Sequence, residues 1–213
     1  MTLHRRLALA LLCAAGGVQA QADRFGADVD AQIGRHYGAV EALYKHLHAN
    51  PELAFEEVNT AKRLAQELRT LGFEVTEGVG KTGVVGLLRN GSGPTVMVRT
   101  ELDALPMEEK TGLPYASKVK TTYLGKESFV AHSCGYDLHM ASWVGTAKTL
   151  VGLKDRWQGT LMFVAQPAEE TLGGAKAMLL DGLFSRFGKP NAAFALHAWP
   201  VAHGVVGFNS GPV

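Results

Sequence analysis

Cysteine is scarce in this chain: Cys13 and Cys134 are the two thiols in 213 residues. Loss of an N-terminal segment carrying Cys13 would leave Cys134 alone, and no intramolecular disulfide could form. An excess of charge of one sign is also missing, since 21 Lys and Arg stand against 20 Asp and Glu. Without a basic run there is no electrostatic footprint for nucleic acid, and that class is set aside. No apolar run reaches the ~20 residues a membrane-spanning helix needs. A Gly-x-Ser-x-Gly elbow, a paired-cysteine ribbon and an internal repeat are all absent. The stretch Gly78 to Thr82 echoes a phosphate-binding loop, but Val75 stands where its earlier glycine belongs, and strand sequence follows it. What is present is 46% hydrophobic residues, enough for one large globular core.

The N-terminus has the pattern of an export signal. Arg5 and Arg6 precede the apolar run Leu7 to Ala15, and Val18-Gln19-Ala20 places small residues at the cleavage positions. Residues 1–20 are therefore expected to be removed, the mature chain to begin near Gln21, and the protein to be periplasmic or secreted. Lipid attachment at Cys13 is disfavoured because the bulky Leu12 precedes it. A lone Cys134 in an oxidising compartment calls either for burial or for coordination that holds it as thiolate.

Along the mature chain, Val29, Ile33, Tyr37, Val40, Leu43 and Leu47 keep one helical face until Asn50-Pro51 interrupts it. A second helix is predicted from about Glu57 to Leu71, with Gly72 as its C-terminal cap. Strands are predicted over Phe73 to Thr76, Val84 to Arg89, Thr95 to Leu102, Thr160 to Gln166 and Ala192 to His197, with strand-like sequence again over Gly204 to Phe208. Helices are predicted from His139 to Leu153 and from Gly174 to Leu180. Runs such as Leu161-Met162-Phe163-Val164-Ala165, alternating with helices, imply an α/β fold: a layered mixed sheet with helices on both faces.

Ligands in such folds collect at the carboxyl ends of strands. There the pattern delivers Asp103, the neighbouring pair Glu169 and Glu170, and His197. The stretch Val130 to Met140 adds a thiol, a carboxylate, two imidazoles and a phenol around Gly135. Thiolate, carboxylate and imidazole are donors that a borderline divalent ion accepts. Singly, each has an ordinary structural reading: a buried free cysteine, a solvated acidic pair at a helix start, a turn aspartate, a core histidine.

Five segments in order carry a resemblance: His46 to Leu53 with Glu56-Glu57, Asp103-Ala104-Leu105-Pro106, His132-Ser133-Cys134-Gly135, Gln166-Pro167-Ala168-Glu169-Glu170, and Leu196-His197-Ala198-Trp199-Pro200. With them the chain resembles the N-terminal part of the metal-dependent amidohydrolases related to hippurate hydrolase and indoleacetyl-amino-acid hydrolase, in the aminoacylase and carboxypeptidase-type superfamily of dinuclear metallopeptidases. The resemblance implies that Cys134, Glu170 and His197 bind metal, that Glu169 is the general base, and that Asp103 supports the site. It implies two divalent ions (zinc, manganese or cobalt) and cleavage of N-acyl amino acids or small peptides by metal-bound water.

Three departures from that family bear on function. Tyr136 stands where the family has a metal-binding histidine, and a neutral phenol is a poor ligand at neutral pH, so at least one ion is expected to bind more weakly. Glu101 stands where aspartate is more usual, a change expected to be minor. The family's lid and dimerisation domain and its last histidine ligand are expected to be absent from residues 21–213, leaving an incomplete catalytic domain that forms a homo-oligomer only with that lid. The alternative to an active hydrolase is an impaired relic that binds metal loosely or pairs with another chain.

Overall fold

A computed structural model of the chain describes residues 3–202 and 204–208, with side chains from residue 25 onward. The segment expected to be an export signal has its side chains outside the described residues. Its backbone from Leu3 is continuous with helix α1, Leu3–Ala49. No helix among the described residues is long and apolar enough to cross a membrane.

Helix α2, Val58–Thr70, shows how the local sequence builds the core. Ala61, Leu64, Ala65 and Leu68 recur at helical spacing and are all buried, while Lys62 and Gln66 are exposed on the opposite face. The helix start is closed by Glu52, whose carboxylate accepts the backbone N–H of Asn59 at 3.1 Å and of Thr60 at 2.8 Å. These are two of the donors that a helix N-terminus leaves unpaired. The chain turns out of α2 at Gly72, where φ is 84° and a side chain would be strained.

Five strands build the main sheet: β1 Glu74–Val79, β2 Gly83–Asn90, β3 Thr95–Glu101, β6 Gly159–Gln166 and β7 Ala192–Ala195. Their order across the sheet is β1-β2-β6-β3-β7. Strands β1, β2 and β6 pair antiparallel, whereas β6, β3 and β7 run parallel. A separate hairpin, β4 Lys120–Tyr123 with β5 Lys126–Phe129, was not anticipated from the sequence. Its residues are largely polar and half exposed, so no buried apolar face marks them out.

One face of the sheet is covered by α1, α2 and α3 (Tyr136–Gly152), whose Leu43, Leu47, Leu64, Leu68, Met140 and Val144 pack on Val84, Leu161 and Phe163. The other face receives α4 (Gly174–Leu180) and α5 (Leu183–Phe187) through Met178 and Leu183. The layered mixed α/β architecture with helices on both faces is thus as expected. Burying one such leucine or phenylalanine contributes about 1.5 to 3 kcal/mol, and Phe163→Ala would cost about 3 to 5 kcal/mol through the cavity it leaves. At Gly86 an added Cβ would collide with Leu68, so the glycine lets α2 lie directly on β2.

Two expectations are corrected. Residues 204–208 form a turn and extended chain and pair with no strand, although β7 is an edge strand of the sheet. Helix α3 begins at Tyr136, three residues before His139, because Gly135 adopts φ 79° and carries the chain into helix directly after Cys134. Strand β7 differs from the other strands in exposure: all four of its residues are exposed, Phe194 at 62%.

Candidate metal centre

The parallel register of β3 and β6, with Glu101 opposite Gln166, brings the chain that follows each strand to one edge of the sheet. There the Asp103 carboxylate accepts the backbone N–H of Glu169 at 2.9 Å on one oxygen and that of Glu170 at 3.0 Å on the other. One buried side chain therefore fixes both glutamates. Burial pushes the Asp103 carboxyl up to about 6, although the two backbone donors oppose that shift.

A second carboxylate holds the same turn from the opposite side. Glu57, 0% exposed, accepts the Ala168 backbone N–H at 2.8 Å and the Thr82 hydroxyl at 2.5 Å. Ala168 itself has φ 46°, a left-handed conformation that a non-glycine residue adopts at a cost. The turn that aims Glu169 and Glu170 is thus strained locally and held by Asp103 and Glu57. In the sequence Glu57 stands only as a helix start and part of a motif. Nothing local marks it as a partner for a backbone amide 111 positions away.

Helix α3 supplies the facing wall. The Cys134 thiol lies beside Glu170, and burial followed by the charges of Glu170, Glu169 and Asp103 pushes it up to about 11. Tyr136, 2% exposed, donates its hydroxyl to Glu169 Oε2 at 2.6 Å. Burial, then that carboxylate, holds the phenol far above its ordinary range. One oxygen of Glu170, Oε1, is buried without a hydrogen-bond partner.

His197 enters from the loop after β7. Its ring centroid lies 6.0 Å from that of Tyr136 and 5.0 Å from that of His139, and Nδ1 donates to the Ala198 carbonyl at 2.7 Å. A crevice of about 520 Å³ is lined by His48, Cys134, Asp137 and His197 among others. Behind the loop, His139 Nε2 accepts the Ala198 backbone N–H at 2.8 Å, which leaves Nδ1 as the donor to Glu101 at 2.9 Å. Arg99 pairs with the other Glu101 oxygen. Glu101, expected to be a minor change, is fully buried and ties β3 to the His197 loop.

The structure therefore brings Asp103, Cys134, Glu169, Glu170 and His197 to one place. Among the described residues no three His, Cys, Asp or Glu side chains are so placed that they could hold a metal ion as they stand. The fit to a divalent ion rests on two observations: the donor types, and the unpartnered Glu170 oxygen beside the Cys134 thiol. A buried carboxylate oxygen without a partner is costly, and a cation would satisfy it. Burial of His132 pushes its imidazole down to about 4, and neither ring nitrogen has a hydrogen-bond partner.

Residues 97–211, more than half of the chain, match the family model described as peptidase family M20/M25/M40. A hippurate hydrolase of Campylobacter jejuni is 46% identical over 164 residues, covering 76% of this chain and 40% of the relative. An IAA-amino acid hydrolase of Arabidopsis thaliana is 38% identical over 172 residues, covering 80% of this chain and 37% of the relative. Among solved structures, the YxeP protein of Bacillus subtilis, a dinuclear metal binding peptidase of family M20, superposes with a TM-score of 0.69 at 34% identity, covering 78% of this chain and 44% of that one. The α/β layers are those of this family M20 neighbour. The chain belongs to peptidase family M20/M25/M40. It spans less than half the length of these relatives.

Proposed function

We propose that this chain is the N-terminal portion of the catalytic domain of a metal-dependent amidohydrolase that cleaves the amide bond of N-acyl amino acids or small peptides. The observation that carries this reading is the pairing of Glu169 and Glu170 on one turn, with their backbone amides fixed by Asp103 and with different side-chain neighbours. The hippurate and IAA-amino acid hydrolases it matches act on substrates of this class by their names.

Cys134, Glu170 and His197 are the residues that would hold a divalent ion of the zinc, manganese or cobalt type, once the His197 ring turns from the Ala198 carbonyl. Such an ion supplies Lewis acidity to a water and to the amide carbonyl. Glu169 is directed elsewhere. Its Oε2 accepts from Tyr136, which leaves Oε1 to take a proton from the attacking water and pass it to the departing amine. Asp103 and Glu57 keep that carboxylate in place through the backbone, so Glu169 does not have to be ordered at the moment of reaction. The Arg5-Arg6 start, the apolar run after it and Val18-Gln19-Ala20 support export to the periplasm or beyond, with the mature N-terminus near Gln21.

A second reading, a metal-poor relic without catalysis, draws on the absence of three converging donors among the described residues. One experiment separates the two. The chain is assayed on a panel of N-acyl amino acids and dipeptides with zinc, manganese or cobalt added, beside the same chain carrying Cys134→Ala. Hydrolysis that needs added metal and falls with the variant supports the amidohydrolase. Equal, background-level turnover in both supports the relic.

A further inference from the structure

We propose that Tyr136 makes this a single-ion centre: its phenol fills the space beside Cys134 and Glu169 and ties down the general base by a hydrogen bond, in place of a second cation. The inference rests on the proposed function, since it concerns how many ions the same group of residues takes.

Three observations carry it. Tyr136 lies two residues beyond Cys134, after the left-handed turn at Gly135, and its side chain is buried to 2%. Its ring packs against His139 at 5.2 Å and His197 at 6.0 Å between centroids. Its hydroxyl points at Glu169 Oε2, at 2.6 Å. A hydroxyl that donates to a carboxylate offers a cation no anionic oxygen and takes up one acceptor position of that carboxylate.

The remaining donors are enough for one ion at most, and only once the His197 ring turns from the Ala198 carbonyl. The unpartnered Glu170 oxygen and the Cys134 thiol lie side by side, and His197 lines the crevice with Cys134. Glu169 is committed to Tyr136 through one oxygen, and Asp103 to backbone amides through both. Asp103 is thus occupied by protein donors on both oxygens and Glu169 on one, which reduces what is left to bridge to a second ion. The dinuclear relative from Bacillus subtilis shows that this fold can accommodate a pair. In this chain Tyr136 acts as a positioning residue for Glu169.

The test counts ions. The 213-residue chain and its Tyr136→Phe and Tyr136→His variants are loaded with cobalt or zinc, dialysed against metal-free buffer and analysed for metal per chain, with circular dichroism to verify folding. One ion on wild type and on Tyr136→Phe, and a rise toward two on Tyr136→His, is expected. Two ions on wild type, or an unchanged count on a folded Tyr136→His, would overturn the inference and leave the amidohydrolase reading standing. No ion on any of the three would overturn both. Should Tyr136→His fail to fold, ring-carbon NMR of labelled tyrosine decides. The resonance identified as Tyr136 by its loss in Tyr136→Phe should move in Glu169→Gln, and an unmoved resonance removes the clamp.

Discussion

Glu57 accepts the backbone N–H of Ala168 at 2.8 Å, although 111 positions separate them in the chain. Helix α2 is thereby coupled to the turn that presents Glu169 and Glu170. Because Ala168 is held at φ 46°, the turn depends on such anchors. Glu57→Ala removes a charged acceptor and leaves the Ala168 amide unpaired inside the protein. Loss of about 1.5 to 3 kcal/mol is expected, the usual scale for a buried hydrogen bond to a charged group. Urea unfolding of the two proteins measures it, and an unchanged midpoint would show that the anchor is dispensable.

His139 should act on the His197 loop in the same way. Its ring joins Glu101 to the Ala198 backbone through 2.9 and 2.8 Å contacts, and it is almost wholly buried. His139→Ala is expected to speed hydrogen exchange at the Ala198 amide by at least about tenfold, since every ~1.4 kcal/mol of lost protection is one decade. Exchange measured by NMR or mass spectrometry that is no faster than in wild type would mean the loop is held by other contacts.

A pH dependence follows from His48. Burial lowers its tendency to protonate, but hydrogen bonds to Glu109 at 2.9 Å and Asp137 at 2.6 Å outweigh burial, and the folded-state value is raised. A group whose folded value lies above its unfolded value of ~6.5 gives stability that is present below that pH. That stability is lost as pH rises through the folded value. Melting temperature should therefore fall as pH is raised from mildly acidic through neutral, and His48→Gln should flatten that part of the profile. A variant with the full wild-type slope would assign the effect elsewhere.

The paired glutamates should separate by phenotype. In any preparation that hydrolyses N-acyl amino acids, Glu169→Gln is expected to keep bound metal and lose about 100-fold or more in turnover, the scale of a lost general base. Glu170→Gln should lose metal first. If Glu170→Gln retains metal while Glu169→Gln sheds it, the two roles are exchanged.

Much of this arrangement was legible in the sequence because strand and helix periodicity alone placed β2, β3, β6, α2 and α4 within a few residues, and parallel β3, β6 and β7 then put Asp103, Glu169, Glu170 and His197 at one edge. The hairpin β4-β5 was not legible, since its four-residue strands bury no patterned face. Nor was the network behind the site. The partnership of Glu57 with Ala168, and that of Glu101 with His139, are long-range contacts of residues that look like ordinary surface acids in sequence. Tyr136 was legible as a departure from a metal-binding pattern. Its hydrogen bond to Glu169 depends on the turn at Gly135 and needed the fold to be seen.

Cobalt loading tests the Cys134, Glu170 and His197 centre most directly, because a thiolate bound to cobalt produces an intense near-ultraviolet charge-transfer band that carboxylates and imidazoles do not. Titration of the metal-free chain with cobalt is expected to raise that band to saturation. Cys134→Ser should abolish it, and Glu170→Gln should weaken the binding. A titration without the band, or an equal band in Cys134→Ser, would contradict a metal centre built on these residues.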